Sequence, residues 1–167
     1  SPDDEHPVNA VYGFGSFLID ALSFFDPDKV AVIFDAPGEN FRKALFGDYK
    51  AHRPSPPTEL MEQFPLIEEF LDCLGIPHFS MDGVEGDDLI ASLALDLAGQ
   101  GHQVGMISAD KDLFQLLANE RLTLLRPGRG ITGNYEKVDR DSFSGKFGFP
   151  PSHHVDYLAL VGDRADN

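Results

Sequence analysis

Cysteine occurs once in the 167-residue chain, at Cys73, which excludes an internal disulfide framework. Its surroundings, IEEFLDCLGI, are apolar and helical in spacing, so Cys73 is read as a buried thiol of an intracellular protein. No apolar run reaches the roughly eighteen residues that a spanning helix needs, so no membrane association is expected. The first ten residues, SPDDEHPVNA, are acidic and polar and do not read as a signal peptide. The expected location is the cytoplasm or nucleoid, or an organelle. Internal repeats and low-complexity linkers are absent too. Cations are scarce: 13 Lys and Arg stand against 28 Asp and Glu, a formal net charge of −15. Taken alone, that argues against nucleic acid, whose binders carry a basic footprint. Net charge is a sum, however. It hides local basic stripes and counts carboxylates that a bound metal would neutralise.

What is present supports one packed domain. Hydrophobic residues make up 42% of the chain and include 14 Phe. Val11, Phe14, Leu18, Ile19, Leu22 and Phe25 recur at three- and four-residue steps and predict a helix over Asn9–Phe25. KVAVIFDA predicts a buried strand from Val30 to Phe34, ending at Asp35, with the unbroken apolarity of a parallel sheet. In PGENFRKALFGDYKAHRPSPPT only the first part is expected to be helical. Thr58 is expected to cap a helix that runs to about Leu74 and stops at Gly75. IPHFSM and HQVGMIS predict strands, the stretch from Glu85 to about Ala98 a helix, and KDLFQLLA a short helix. RLTLLRPGRGITGNYEKV predicts a hairpin with a Pro-Gly turn. Helices are expected over Asp139–Phe147 and over Pro151–Val161, with Gly162 closing the latter. His153 and His154 are read as surface or capping residues. Strands alternating with helices imply an α/β domain with a mainly parallel sheet.

The carboxylates follow this pattern. Binding sites in open parallel sheets form at the carboxyl ends of strands. Asp35 ends one strand, and Asp110 and Asp112 follow another. Glu85, Asp87 and Asp88 open the helix after a third, and VGDRADN brings Asp163 and Asp166. Each group also has an ordinary structural reading. Acids suit a first helical turn, Asp110 suits an N-cap, Asp35 a turn, and GDRADN a polar loop. Gathered at one edge, eight like charges would repel and raise one another's pKa values, and Lys and Arg are scarce beside them in sequence. A hard divalent cation with oxygen ligands, Mg²⁺ or Mn²⁺, resolves this. His and Cys are missing from these motifs, so zinc is not expected. The carboxylates outnumber the needs of one ion, which implies two. Two ions about 4 Å apart suit in-line phosphoryl transfer and hence phosphodiester hydrolysis.

ENFRKALFGDYKAHR supplies a local basic stripe. Arg42, Lys43, Lys50, His52 and Arg53 fall together, with Phe41, Phe46 and Tyr49 between them. Cations neutralise phosphate and aromatic faces stack on bases; a solvated loop is the alternative. With AVYGF (Ala10–Phe14), FDA…FR…YKAHR (Phe34–Arg53), GVEGDDLIASLA (Gly83–Ala94), ISADKDLFQLL (Ile107–Leu117) and DYLALVGDRADN (Asp156–Asn167) in this order, the chain resembles the 5′ nuclease domains of the bacterial-type DNA polymerase I and flap endonuclease family. The resemblance implies a PIN-like α/β fold, with a twisted, mainly parallel sheet flanked by helices and a helical arch or clamp. It implies a 5′→3′ exonuclease and structure-specific flap endonuclease of DNA replication and repair, acting on DNA with 5′ ends or 5′ flaps. By the same match, Asp35, Glu85, Asp87, Asp88, Asp110, Asp112, Asp163 and Asp166 surround two Mg²⁺ ions. Lys50 and Arg53 contact the scissile phosphate, Tyr49 stacks on a base, and Arg42 touches phosphate at the base of the arch. Lys50 is read as an electrostatic stabiliser rather than a proton carrier.

The chain departs from that family at both ends. The family opens with an apolar strand carrying a metal-binding Asp, and it continues past GDxxDN into a helix–hairpin–helix. Residues 1–167 are therefore expected to form a single 5′ nuclease domain without those two parts, as a fragment of a longer nuclease. K⁺ is expected only if a helix–hairpin–helix follows, and a polymerase domain in the same full-length chain is a possible partner. A free-standing chain without that strand is expected to be fragile or prone to associate. The alternatives are a non-catalytic branched-DNA binding module, a second chain that completes the fold, and a PIN-type ribonuclease. A Ca²⁺-buffering protein leaves the basic stripe unexplained and lacks an EF-hand pattern.

Overall fold

Helix α1 spans Asn9–Phe25, as its apolar spacing dictates, and turns Leu18 and Ala21 inward. A computed structural model of the chain describes residues 7–38, 40–47, 49–50, 56–128 and 135–162. The chain next forms strand β1 (Val32–Ile33), helix α2 (Phe41–Leu45), helix α3 (Thr58–Met61), helix α4 (Phe64–Leu74) and strand β2 (His78–Phe79). Strands β1 and β2 pair in parallel, with Val32 opposite His78. Leu18 of α1 meets Ile67 and Leu71 of α4 and Ile76 in a first core, with Val32 and Phe34 against it.

The helix expected from Thr58 to Leu74 is broken at Glu62 and Gln63, and Thr58 is not its cap, because Pro57 holds that position without a side-chain bond. The cause is Pro65, which has no N–H to continue the α ladder. The buried Gln63 occupies the break. Its Nε2 donates to Glu59 O and Asn9 Oδ1, and its Oε1 accepts from the Ala10 N–H at 2.8 Å, which satisfies a free donor at the start of α1. Gly75, in the left-handed region at φ 67°, then closes α4. Cys73 is exposed, not buried. It lies two residues past the buried Leu71, which turns it to the solvent side of the helix.

The second half holds a three-stranded sheet. Strand β3 (Val104–Ile107) runs parallel to β4 (Leu122–Pro127), and β4 runs antiparallel to β5 (Tyr135–Val138). Pro127 still pairs with Tyr135, so the hairpin turn lies outside the described residues. A 3₁₀ helix, Asp112–Ala118, takes the place of the short helix expected between β3 and β4. Helix α6 (Arg140–Phe147) starts on a capping box between Asp139 and Ser142. A 3₁₀ turn, Pro151–His153, leads into helix α7 (His154–Val161). Met106, Phe114, Leu117, Leu122, Leu124 and Phe143 anchor the second core.

Two of the three strand pairings are parallel, and the described strands form two small sheets rather than one. Helix α5 (Gly86–Gly99) joins them. Its buried Ala94 and Ala98 sit in the second core, while its first turn abuts the end of β1. Helix α1 makes a second tie, where Phe17, Phe24 and Phe25 surround the Tyr135 ring. Among the described residues, no helix is long and apolar enough to cross a membrane.

Candidate active site

The carboxyl ends of β1 and β3 and the amino end of α5 frame the site. Glu85 takes the N-cap position of α5, and Asp87 and Asp88 fill its first turn. One ligand oxygen from each of these three lies within 4.8 Å of the others. Gly86 ties Asp35 to the same turn, because its N–H donates to Asp35 Oδ1 at 2.6 Å. A Cβ on Gly86 would stand 3.0 Å from that oxygen, so a larger residue here would push the Asp35 carboxylate aside. Across the site, the Asp110 N–H donates to Ser108 Oγ, and Asp110 Oδ1 accepts from the Asp112 N–H at 2.8 Å. The Asp110 side chain thus closes the turn onto Asp112, but it is not the cap of the helix that follows, because Lys111 holds the N-cap position without a side-chain capping bond. The charge of Asp110 reaches Asp87.

Cations scarce beside these acids in sequence are close to them in space. Glu85 accepts hydrogen bonds from Lys50 Nζ at 2.6 Å, the Tyr49 hydroxyl at 2.9 Å, Asn40 Nδ2 at 2.8 Å and Arg42 Nη1 at 3.1 Å. Arg42 grips Asp88 with both terminal nitrogens, a bidentate pair. Phe41 and Tyr49 lie beneath the Arg42 and Lys50 charges. Lys50 adopts φ 53°, an uncommon conformation for a lysine, on the turn that delivers its ammonium to Glu85.

These contacts set the electrostatics. Hydrogen bonding to Arg42 holds the Asp88 carboxyl below the usual carboxylate range. Burial pushes Glu85 up, but the hydrogen bonds from Lys50 and Tyr49 outweigh it, and Glu85 also ends below that range. Asp87 goes the other way: burial first, then the charges of Glu85, Asp88 and Asp110, push it up. Among the described residues, Asp87 forms no ion pair. Glu85, Asp87 and Asp88 form an all-oxygen donor set that could hold a hard divalent cation, whose charge would offset the burial and the neighbouring acids that raise Asp87. A cleft of about 110 Å³ beside them is lined by Asp35, Gly38, Asn40, Gly83 and Glu85. A wider, open depression bordered by Arg121 and Arg140 lies at the opposite, amino-terminal ends of β3 and β4, away from this chemistry.

The structure thus brings together Asp35, Glu85, Asp87, Asp88 and Asp110 with Arg42, Tyr49 and Lys50. Asp112 begins the 3₁₀ helix beside Asp110 and is exposed. Lys43 is exposed, and its N–H donates to Asn40 Oδ1. Asp163, Asp166, His52 and Arg53 lie outside the described residues. Asn40 was not expected in the site. Its signal in the sequence is an Asn directly before a helical stretch, the position of an N-cap, which it fills for α2.

Both the sequence and the fold have known relatives. Residues 1–148 match the family described as 5′-3′ exonuclease, N-terminal resolvase-like domain. A 5′-3′ exonuclease of Aquifex aeolicus is 40% identical over 161 residues, 96% of this chain and 54% of that protein. The thermostable DNA polymerase I of Thermus aquaticus is 41% identical over 162 residues, 96% of this chain and 18% of the polymerase. The chain therefore spans about half of the first relative and under a fifth of the second. Among solved structures, T5 5′-exonuclease with bound zinc ions superposes with a TM-score of 0.70 at 21% identity, over 99% of this chain and 62% of that one. The catalytic core of Rad2 in complex with DNA gives a TM-score of 0.60 at 19% identity, over 99% and 50%. These likenesses show the fold.

Proposed function

The chain belongs to the 5′-3′ exonuclease family through its N-terminal, resolvase-like domain, and from that membership we propose that it hydrolyses DNA phosphodiester bonds at 5′ ends and 5′ flaps with divalent metal ions. The observation that carries this reading is one juxtaposition. Glu85, Asp87 and Asp88 gather at the start of α5, Asp35 is tied to the same turn through the Gly86 N–H, the charge of Asp110 reaches Asp87, and Arg42, Tyr49 and Lys50 face the cluster from one segment. The metal ligands in this reading are Asp35, Glu85, Asp87, Asp88, Asp110 and Asp112, joined by Asp163 and Asp166. Mg²⁺ or Mn²⁺, two ions together, suits the all-carboxylate donors. When bound, such ions supply an activated water and offset charge on the phosphate.

The chain's own residues do the rest. Lys50 and Arg42 now lie on Glu85 and Asp88. A phosphodiester entering the cleft competes for the same cations. Lys50 then offsets the charge that develops on the scissile phosphate, and Arg42 holds the neighbouring phosphate. Arg53 joins Lys50 at the scissile phosphate. Tyr49 offers its ring to a base, and Lys43 and His52 extend the contact with the strand.

The test is cleavage of a 5′-labelled flap DNA with Mg²⁺, with Mn²⁺ and with a chelator, beside single-stranded RNA. Metal-dependent cutting of the flap and not of the RNA is expected, with Asp110→Asn reducing it by orders of magnitude. Preferential cutting of RNA would mean a PIN-type ribonuclease instead. Tight flap binding without cutting under any metal would mean a branched-DNA binding module.

A further inference from the structure

His154 is the least expected residue in the second core. It opens α7 and is only 2% exposed. Its ring is enclosed by Phe114, Phe143, Phe147 and Tyr157, with centroids 5.4 to 6.3 Å away. A histidine that merely filled this space would be replaced at no loss by an apolar residue. One contact says otherwise: Nε2 lies 3.0 Å from the carbonyl oxygen of Lys111. A carbonyl only accepts, so Nε2 carries the proton. Nδ1 is then a bare lone pair, buried without a hydrogen-bond partner among the described residues. Burial also holds the imidazole pKa below its usual value, which keeps the ring neutral.

Lys111 is the middle residue of the turn that presents Asp110 and Asp112. Its carbonyl accepts twice, from His154 and from the Phe114 N–H at 3.0 Å. The second bond belongs to the 3₁₀ helix that follows. The first comes from an element 43 residues away in sequence and fixes the turn from below. Asp110 and Asp112 are themselves exposed.

We propose that His154 is a positioning residue, a buried strut whose Nε2–H holds the Lys111 carbonyl and so sets where Asp110 and Asp112 point. The proposal rests on the reading of those carboxylates as metal ligands. Partners that orient ligands in this way change metal affinity by about 10–100-fold when removed.

Two variants separate the strut from simple packing. His154→Leu fills the aromatic enclosure without a donor. His154→Gln restores an N–H at the same reach. Mn²⁺ affinity, measured by electron paramagnetic resonance, is expected to fall about tenfold in the Leu variant and to return in the Gln variant. Amide exchange at Asp112 and Phe114 is expected to quicken about tenfold in the Leu variant, with Leu124 and Val138 unchanged and Gln again restoring the wild-type rate. Unchanged exchange at Asp112 and Phe114, or an equal rise at all four amides, would overturn the proposal. Exchange decides the strut even if the wild-type chain binds no Mn²⁺, an outcome that would fault the metal reading alone.

Discussion

Glu85 and Asp88 open the same helical turn as Asp87, yet the two sides of that turn differ. Glu85 and Asp88 face Arg42, Lys50, Tyr49 and Asn40 and lie below the usual carboxylate range. Among the described residues Asp87 has no such cation and is raised above it, by burial first and then by the charges of Glu85, Asp88 and Asp110. The helix dipole favours an acid in this first turn, but it supplies no cation for Asp87. A site that shares its carboxylates between protein cations and a metal does. In the proposed metal-dependent reading, the compensated side keeps the turn folded in the absence of an ion, and the uncompensated side holds the charge that would attract one.

That contrast can be broken by substitution, and the largest effects are on activity. Asp87→Asn is expected to bring flap cleavage below detection, while Lys50→Ala lowers kcat by about 10²–10³-fold, the scale of one lost electrostatic donor. Both are read from initial rates on labelled DNA. Gly86→Ala strikes both sides at once, since the new Cβ would stand 3.0 Å from Asp35 Oδ1. It is expected to cost about 1–3 kcal/mol in urea denaturation. The two sides then separate in thermal melts without metal. Asp88→Asn removes the bidentate partner of Arg42, leaving it Glu85 alone, and lowers Tm, a change worth about 1 kcal/mol. Asp87→Asn removes a repelled charge and raises Tm. A fall in Tm in both variants would erase the distinction.

The smallest effect is the order of titration, read from side-chain carboxyl carbon shifts in the metal-free chain. Asp87, raised, protonates above the usual carboxylate range, and Asp88 and Glu85 protonate below it. The stability consequences have opposite signs. What Asp87 contributes is fully present below its unfolded pKa and is lost as pH rises through its folded value. What Glu85 and Asp88 contribute is present above their unfolded values and is lost as pH falls through their folded ones.

The sequence reveals one side of the turn better than the other. Helix α1, the first turn of α5 and the end of β3 follow from local periodicity, and strand ends place Asp35 and Asp110 at one edge. The compensated side depends on pairs 35 to 46 residues apart in the chain, such as Lys50 with Glu85 and Arg42 with Asp88. No local pattern reports such distances. His154 escapes for the same reason, because its enclosure is assembled from the 3₁₀ helix, α6 and α7. The break at Gln63 was legible in Pro65, whose missing N–H outweighs the apolar periodicity running through it. Cys73 misled because its apolar neighbours line the opposite face of α4.

The central claim is that this half-compensated turn takes up divalent metal, with Lys50 as a competitor for its carboxylates. Mn²⁺ titration of the chain, followed by electron paramagnetic resonance beside Asp87→Asn and Lys50→Ala, tests it directly. The account predicts that Asp87→Asn loses binding and that Lys50→Ala binds more tightly than the wild type while cutting more slowly. Wild-type Mn²⁺ affinity in Asp87→Asn would contradict it.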